Sequence, residues 1–265
     1  MWPWARAYCP VDPSAKTWVE GRLDWLRVQF GDELFLERPL VLPTLEFFPE
    51  LASREQANLE NVFRRVCQYM QLERGRFQLE VIPKANFIGL QDEHGHGVGE
   101  MIAHYQRRPE GEFVRVRERM IEGPFQMIAV LAHELSHARL LGEGRLDRRV
   151  LDNELVTDLT ALYHGFGVFL ARYPQQWISG LGRWPGTQRS MPKYMNAYMH
   201  AWALAHQAWL REEDPHWFEL LPSGVRDPAR AGLRYLQRTG ESAHRSDEWQ
   251  PWIDLHDALC EPCSP

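Results

Sequence analysis

Cysteine is scarce: Cys9, Cys67, Cys260 and Cys263 are all there is in 265 residues. A disulfide scaffold is excluded, because so few pairs cannot brace a chain of this size. Cys260 and Cys263 form a C-x-x-C in "LCEPCSP" with no second pair to join it. A four-cysteine zinc knuckle is therefore excluded, and the two read as reduced thiols. No apolar stretch reaches about eighteen residues, so no membrane-spanning helix is expected. "MWPWARAYCPVDPS" has no basic region leading into an apolar one, and the expected compartment is the cytoplasm. Cations are not in excess: 30 Lys and Arg stand against 36 Asp and Glu, a net charge of −6. Phosphate backbones need clustered cations, so nucleic acid is not an expected partner. The chain shows neither an internal repeat nor a low-complexity tract.

Apolar residues are plentiful. They make up 44% of the chain, with eleven tryptophans, enough for a sizeable core. "PSAKTWVEGRLDWLRVQFG" spaces Trp18, Leu23, Trp25, Leu26 and Phe30 as a helix that Gly31 ends. "RPLVLPTLEFFPE" reads as an extended connection, because its prolines break helix and central strand alike. In "SREQANLENVFRRVCQYMQL", Ser53 and Gln56 form a capping-box pattern before the face Leu59, Val62, Phe63, Val66, Cys67 and Met70. "RFQLEVIP" alternates as a strand. "NFIGL", "GEMIAHY" and "EFVRVRE" read as short antiparallel strands between turns, with His94 and His96 as solvated loop residues.

From Gly123 the pattern turns helical. "PFQMIAVLAHELSHARLLG" starts with Pro124 in its first turn. "RRVLDNELVTDLTALYHGFGVFLARY" predicts a second long helix, and "KYMNAYMHAWALAHQAWLREE" a third. "DPARAGLRYLQRTG" predicts a fourth, with Asp227 as N-cap and Pro228 in the first turn. The expected class is α+β: a small antiparallel or mixed sheet over 77–117, then a mainly helical part. Its metal-site helices span 124–173 and its C-terminal helices 191–240. Residues 1–50 supply an N-terminal helix and extended segment, 51–265 the main domain, and the whole is expected to form one compact unit.

The chemistry lies in "LAHELSHARLLGEG". His133 and His137 are four apart, so a helix projects both from one face toward one ion. Glu134, next to the first histidine, flanks that ion and suits a general base acting on a water the metal activates. H-E-x-x-H is a metallopeptidase spacing. Sixteen residues separate His137 from Glu154, enough to end one helix and begin an antiparallel partner. Glu154 and Asp158 are again four apart and share a face. A catalytic zinc takes three protein ligands and leaves a position for water. His133, His137 and Glu154 make that set, for one Zn2+. Asp158 is placed to accept an imidazole N–H from a ligand histidine, and it is also the substitute ligand.

"HELSH" followed by "NELVTD" resembles the gluzincin clan of zinc metallopeptidases, within the zincins. The likeness covers roughly 124–173; the spacing from His137 to Glu154 is a little shorter than in the clan's best-known members. The rest of the chain resembles, more distantly, bacterial proteins of unassigned function that carry the same helix pair. The resemblance implies a zincin-like fold with the H-E-x-x-H helix at its centre. It implies His133, His137 and Glu154 as zinc ligands, Glu134 as base and Asp158 behind a ligand histidine. "EFVRVRE" would be the edge strand that aligns an extended substrate. The expected partner is a protein or peptide substrate.

Such a site wants a second donor for the oxyanion. The third helix offers Tyr194, Tyr198, His200 and His206. Tyr194, expected to share a face with Tyr198, is the candidate; Tyr163 and His164 follow. The alternative is a zincin-fold module that binds zinc in a binding or regulatory role. Glu134 discriminates against it, because holding zinc does not require that carboxylate.

Overall fold

Proline, glycine and short polar side chains mark where the elements of this chain start and stop. The computed structural model describes residues 7–53, 58–83, 103–118, 123–173 and 192–243. In chain order these form α1 (Pro13–Phe30), α2 (Glu33–Leu36), α3 (Leu59–Tyr69), β1 (Phe77–Ile82), β2 (Ala103–Arg108) and β3 (Gly111–Arg117). Helices α4 (Pro124–His137), α5 (Asn153–Ala161), α6 (Gly167–Arg172), α7 (Ala197–Leu210) and α8 (Ser223–Thr239) follow. The class is α+β, with a small mixed sheet and a helical remainder. No helix among the described residues is long and apolar enough to cross a membrane. The chain divides into two units, residues 43–143 and residues 1–42 with 144–265.

In the unit 43–143, α3 buries the face its periodicity predicts: Leu59, Val62, Phe63, Val66 and Cys67. Its cap is Asn58, whose side chain accepts the Asn61 N–H at 2.9 Å. Ser53, in extended backbone, follows a 3₁₀ turn over Pro49–Ala52. Asn58 directly precedes Leu59, the first apolar position of the period. Gln56 lies outside the described residues.

The sheet order is β1-β3-β2. β2 and β3 form an antiparallel hairpin, Tyr105 opposite Val114, turning at Pro109 and Glu110. β1 runs parallel to β3, Phe77 opposite Glu112. The expectation of antiparallel strands thus holds for the hairpin, and β1, whose sequence carries no direction of pairing, makes the sheet mixed. The strand expected at the edge, "EFVRVRE", is the middle strand β3. Among the described residues β2 is an edge. "NFIGL", His94 and His96 lie outside them. Helix α4 starts at Pro124, as the sequence predicts, and packs on α3 and β2. It is buried throughout from Met127 to His137, and a π-helical turn over Ala138–Gly142 follows.

In the other unit, Asp12 caps α1 by accepting the Ala15 N–H at 2.9 Å, and Gly31, at φ 83°, ends it. From Trp18 to Leu26 this helix is buried on every side, so its charges there need partners as well as its apolar face. Arg22 donates twice to Asp152, from Nε and Nη2, each at 2.8 Å. Trp18 Nε1 donates to the same carboxylate at 2.8 Å. The long helix expected from Arg148 begins instead at Asn153, after the turn that holds Asp152. It breaks at Gly165, whose φ of 96° only glycine adopts readily. The Gly165 carbonyl accepts the Val41 N–H at 3.0 Å, tying in the proline-rich connection. Helix α8 begins at Ser223, before the expected Asp227 cap, and carries Pro228 inside. Pro222 opens that helix, and the Pro228 ring forfeits one hydrogen bond within it.

Candidate metal site

Helix α4 is apolar on nearly every face, which makes its three charged or ring-nitrogen side chains conspicuous. His133 and His137, one turn apart, are both buried, with ring centres 5.0 Å apart and planes at 86°. Glu134 is 5% exposed. Its Oε2 accepts the main-chain N–H of Tyr105, in β2, at 2.6 Å. Among the described residues its other oxygen accepts no hydrogen bond.

Glu154 lies in the first turn of α5 and is half-buried. One nitrogen from each of His133 and His137 and one carboxylate oxygen of Glu154 all lie within 4.8 Å of one another. Two imidazoles and a carboxylate are a donor set that a divalent transition ion accepts. The set fits zinc without selecting it over its neighbours in the series. Asp158, four residues on, is buried. Its Oδ2 accepts the Met195 N–H at 3.1 Å. Burial holds the His200 imidazole below its ordinary pKa, and the nearby Asp158 charge pulls the other way.

Tyr194 is half-buried in the bend before α7, which begins only at Ala197 behind its cap Asn196. Asn196 accepts the N–H groups of both Tyr198 and Met199 at 3.0 Å, so the helix starts there. The expected helical face shared by Tyr194 and Tyr198 therefore does not exist. Tyr163 and His164 pack into the core of their unit. Tyr163 stacks on Phe35 with centres 4.8 Å apart and donates to the Gly31 carbonyl, and His164 meets the Phe30 ring edge-on. His206 bonds to Ser242 Oγ at 2.9 Å, on a fully buried ring.

Reading the sequence missed Tyr105 and the groups that hold it. Its hydroxyl donates to Glu112 Oε2 at 2.8 Å, and Arg76 Nε donates to Glu112 Oε1 at 2.9 Å. Burial, then the bond to Glu112, pushes the Tyr105 phenol well above its ordinary value, so it remains a donor at neutral and mildly alkaline pH. Nothing in "AHYQRR" signals a main-chain contact with a helix further along the chain. Cys260 and Cys263 lie outside the described residues. Comparisons with protein-family models, with curated proteins and with solved structures found no match to this chain.

Proposed function

We propose that the chain is a zinc-dependent metallopeptidase of the gluzincin kind, acting on a protein or peptide in the cytoplasm. The group formed by His133, His137 and Glu154 supports this reading best. Zinc, when held there, supplies a Lewis acid that acidifies water and polarises a carbonyl. His133 and His137 would hold it through one imidazole nitrogen each, and Glu154 through a carboxylate oxygen. Glu134 stands beside the ligands without belonging to the set. Its carboxylate takes a proton from the attacking water as the peptide carbonyl is approached, then delivers that proton to the leaving amine nitrogen. Asp158 steadies the outer side of the ligand set. Tyr194 remains the proposed donor to the oxyanion, since the N–H of the next residue, Met195, is anchored on Asp158.

The test is Glu134→Gln, made beside the wild type. The variant is expected to keep about one metal ion per chain, measured by elemental mass spectrometry. Cleavage of a quenched-fluorescent peptide library should fall by roughly 10²–10⁴-fold, the range of a lost acid–base group. A variant that cleaves as fast as wild type removes Glu134 from the mechanism. A metal-loaded wild type that cleaves nothing favours the binding or regulatory module instead.

A further inference from the structure

A general base works only if its carboxylate is held in the right orientation, and a glutamate has three rotatable bonds through which to lose it. For Glu134 the restraint comes from a strand, not from the helix that carries it. Tyr105 lies on β2, which pairs with β3 on one side. Successive residues of an antiparallel strand send their main-chain groups alternately toward the partner and away from it. The Tyr105 N–H goes to Glu134 Oε2, so it points off the ladder, and His104 and Gln106 point into it. At 2.6 Å from N to Oε2, this is a short bond. It engages one oxygen of the carboxylate, and among the described residues the other accepts no bond.

The strand is itself tied to α4. The Tyr105 hydroxyl holds Glu112, and Glu112 holds Arg76. Arg76 Nη2 reaches the Ala138 carbonyl at 3.4 Å, just past His137, and Arg107 Nη1 reaches the Gly142 carbonyl at 3.3 Å. Glu143 takes Arg139 at 2.8 Å and Arg76 at 3.4 Å, which closes the network. Gly142 is part of the fit: a Cβ there would lie 2.5 Å from Tyr105 Oη and 2.7 Å from Arg76 Nη2. The same tyrosine thus meets α4 through its amide, at Glu134, and through its side chain, at the turn that follows His137.

We propose that Tyr105 is a positioning residue for Glu134, its main-chain N–H fixing the carboxylate through Oε2 and leaving Oε1 to exchange the proton. The assignment rests on the metallopeptidase reading and adds to it what sets the orientation of the base. Tyr105 touches no reacting atom; it acts through Glu134.

The deciding experiment replaces the Tyr105 amide with an ester in the full chain, using the α-hydroxy analogue of tyrosine. That removes one N–H and keeps the side chain. The variant is expected to retain its metal and its fold. Its kcat on a library peptide that wild type cleaves should fall roughly 10- to 100-fold with KM within about twofold, the scale of a misplaced catalytic group. A purely structural role would instead lower metal content and melting temperature together. Hydrogen exchange gives a readout independent of activity. In Glu134→Ala the Tyr105 amide should exchange at least about tenfold faster, with the His104 and Gln106 amides unchanged. An ester variant with wild-type kcat, or a Tyr105 amide indifferent to Glu134, overturns the proposal and leaves the peptidase reading standing. A wild type that neither binds metal nor cleaves overturns both. Should the ester chain fail to fold, the exchange measurement decides alone: a Tyr105 amide at least about tenfold faster in Glu134→Ala supports the role, and one with the wild-type rate overturns it.

Discussion

Asp152 illustrates how a single residue can fix the start of an element. Its carboxylate, 1% exposed at the residue level, accepts from Arg22 twice and from Trp18 once. Burying an ion pair contributes little net stability, but removing one partner strands the other charge. Arg22→Ala is therefore expected to destabilise the fold by about 3–5 kcal/mol, read from urea unfolding. A change below about 1 kcal/mol would mean that water reaches Asp152 in the folded chain. His200 carries the second prediction at this scale. Burial holds its imidazole below the ordinary value of 6.5. The folded chain then resists a proton that the unfolded chain accepts. The contribution of His200 is fully present above pH 6.5 and is lost as the pH falls below that value toward the folded pKa. Stability should decline over that acid range, and His200→Phe should decline less steeply. Equal slopes for the two proteins would remove His200 as a cause.

At the scale of elements, two glycines that follow α4 and α5 are constrained for different reasons. Gly142 has no backbone constraint of its own; side chains crowd the space a Cβ would take. Gly165 is the reverse. Its hypothetical Cβ meets Val41 at 3.4 Å, ordinary contact, but its φ is 96°. The cost of Gly165→Ala is thus backbone strain, about 1–3 kcal/mol, and should appear as a lower urea midpoint at unchanged m-value. An alanine variant as stable as wild type would show that α5 and α6 can join without the break. The helical character of both α5 and α6 is legible in "NELVTDLTALYHGFGVFLAR", because apolar positions recur at helical spacing on both sides of Gly165. The break is less so, since an isolated glycine in a helical pattern is tolerated more often than not. The starts of α7, behind its cap Asn196, and of α8, at Ser223, were not legible either, because each stretch offered several acceptable first turns and packing selected one.

For the molecule as a whole, an ion that binds the folded chain and not the unfolded one must stabilise it. Zinc added to chelator-treated protein at about 100 times its dissociation constant should stabilise by about 2.7 kcal/mol, raising the melting temperature. His133→Ala should abolish the gain. A melting temperature indifferent to zinc in the wild type would make the two imidazoles helix side chains and nothing more. The expected α+β class emerges at this scale too. The change from alternating to helical periodicity near Gly123 announces it, and the sheet and helices lie on the expected sides of that point.

What the sequence by itself determined is everything that one or two turns can encode. His133 and His137 share a face, as do Glu154 and Asp158, because four residues advance a helix by about one turn. Glu134 flanks the first histidine for the same reason. The tertiary structure alone decided that β1 runs parallel to β3, that β2 and not β3 is an edge among the described residues, and that Tyr194 precedes α7. It alone brought the Tyr105 amide to Glu134. The physical reason is that strand pairings and strand–helix contacts join residues distant in the chain, so their partners are chosen by packing, and no local spacing records the choice.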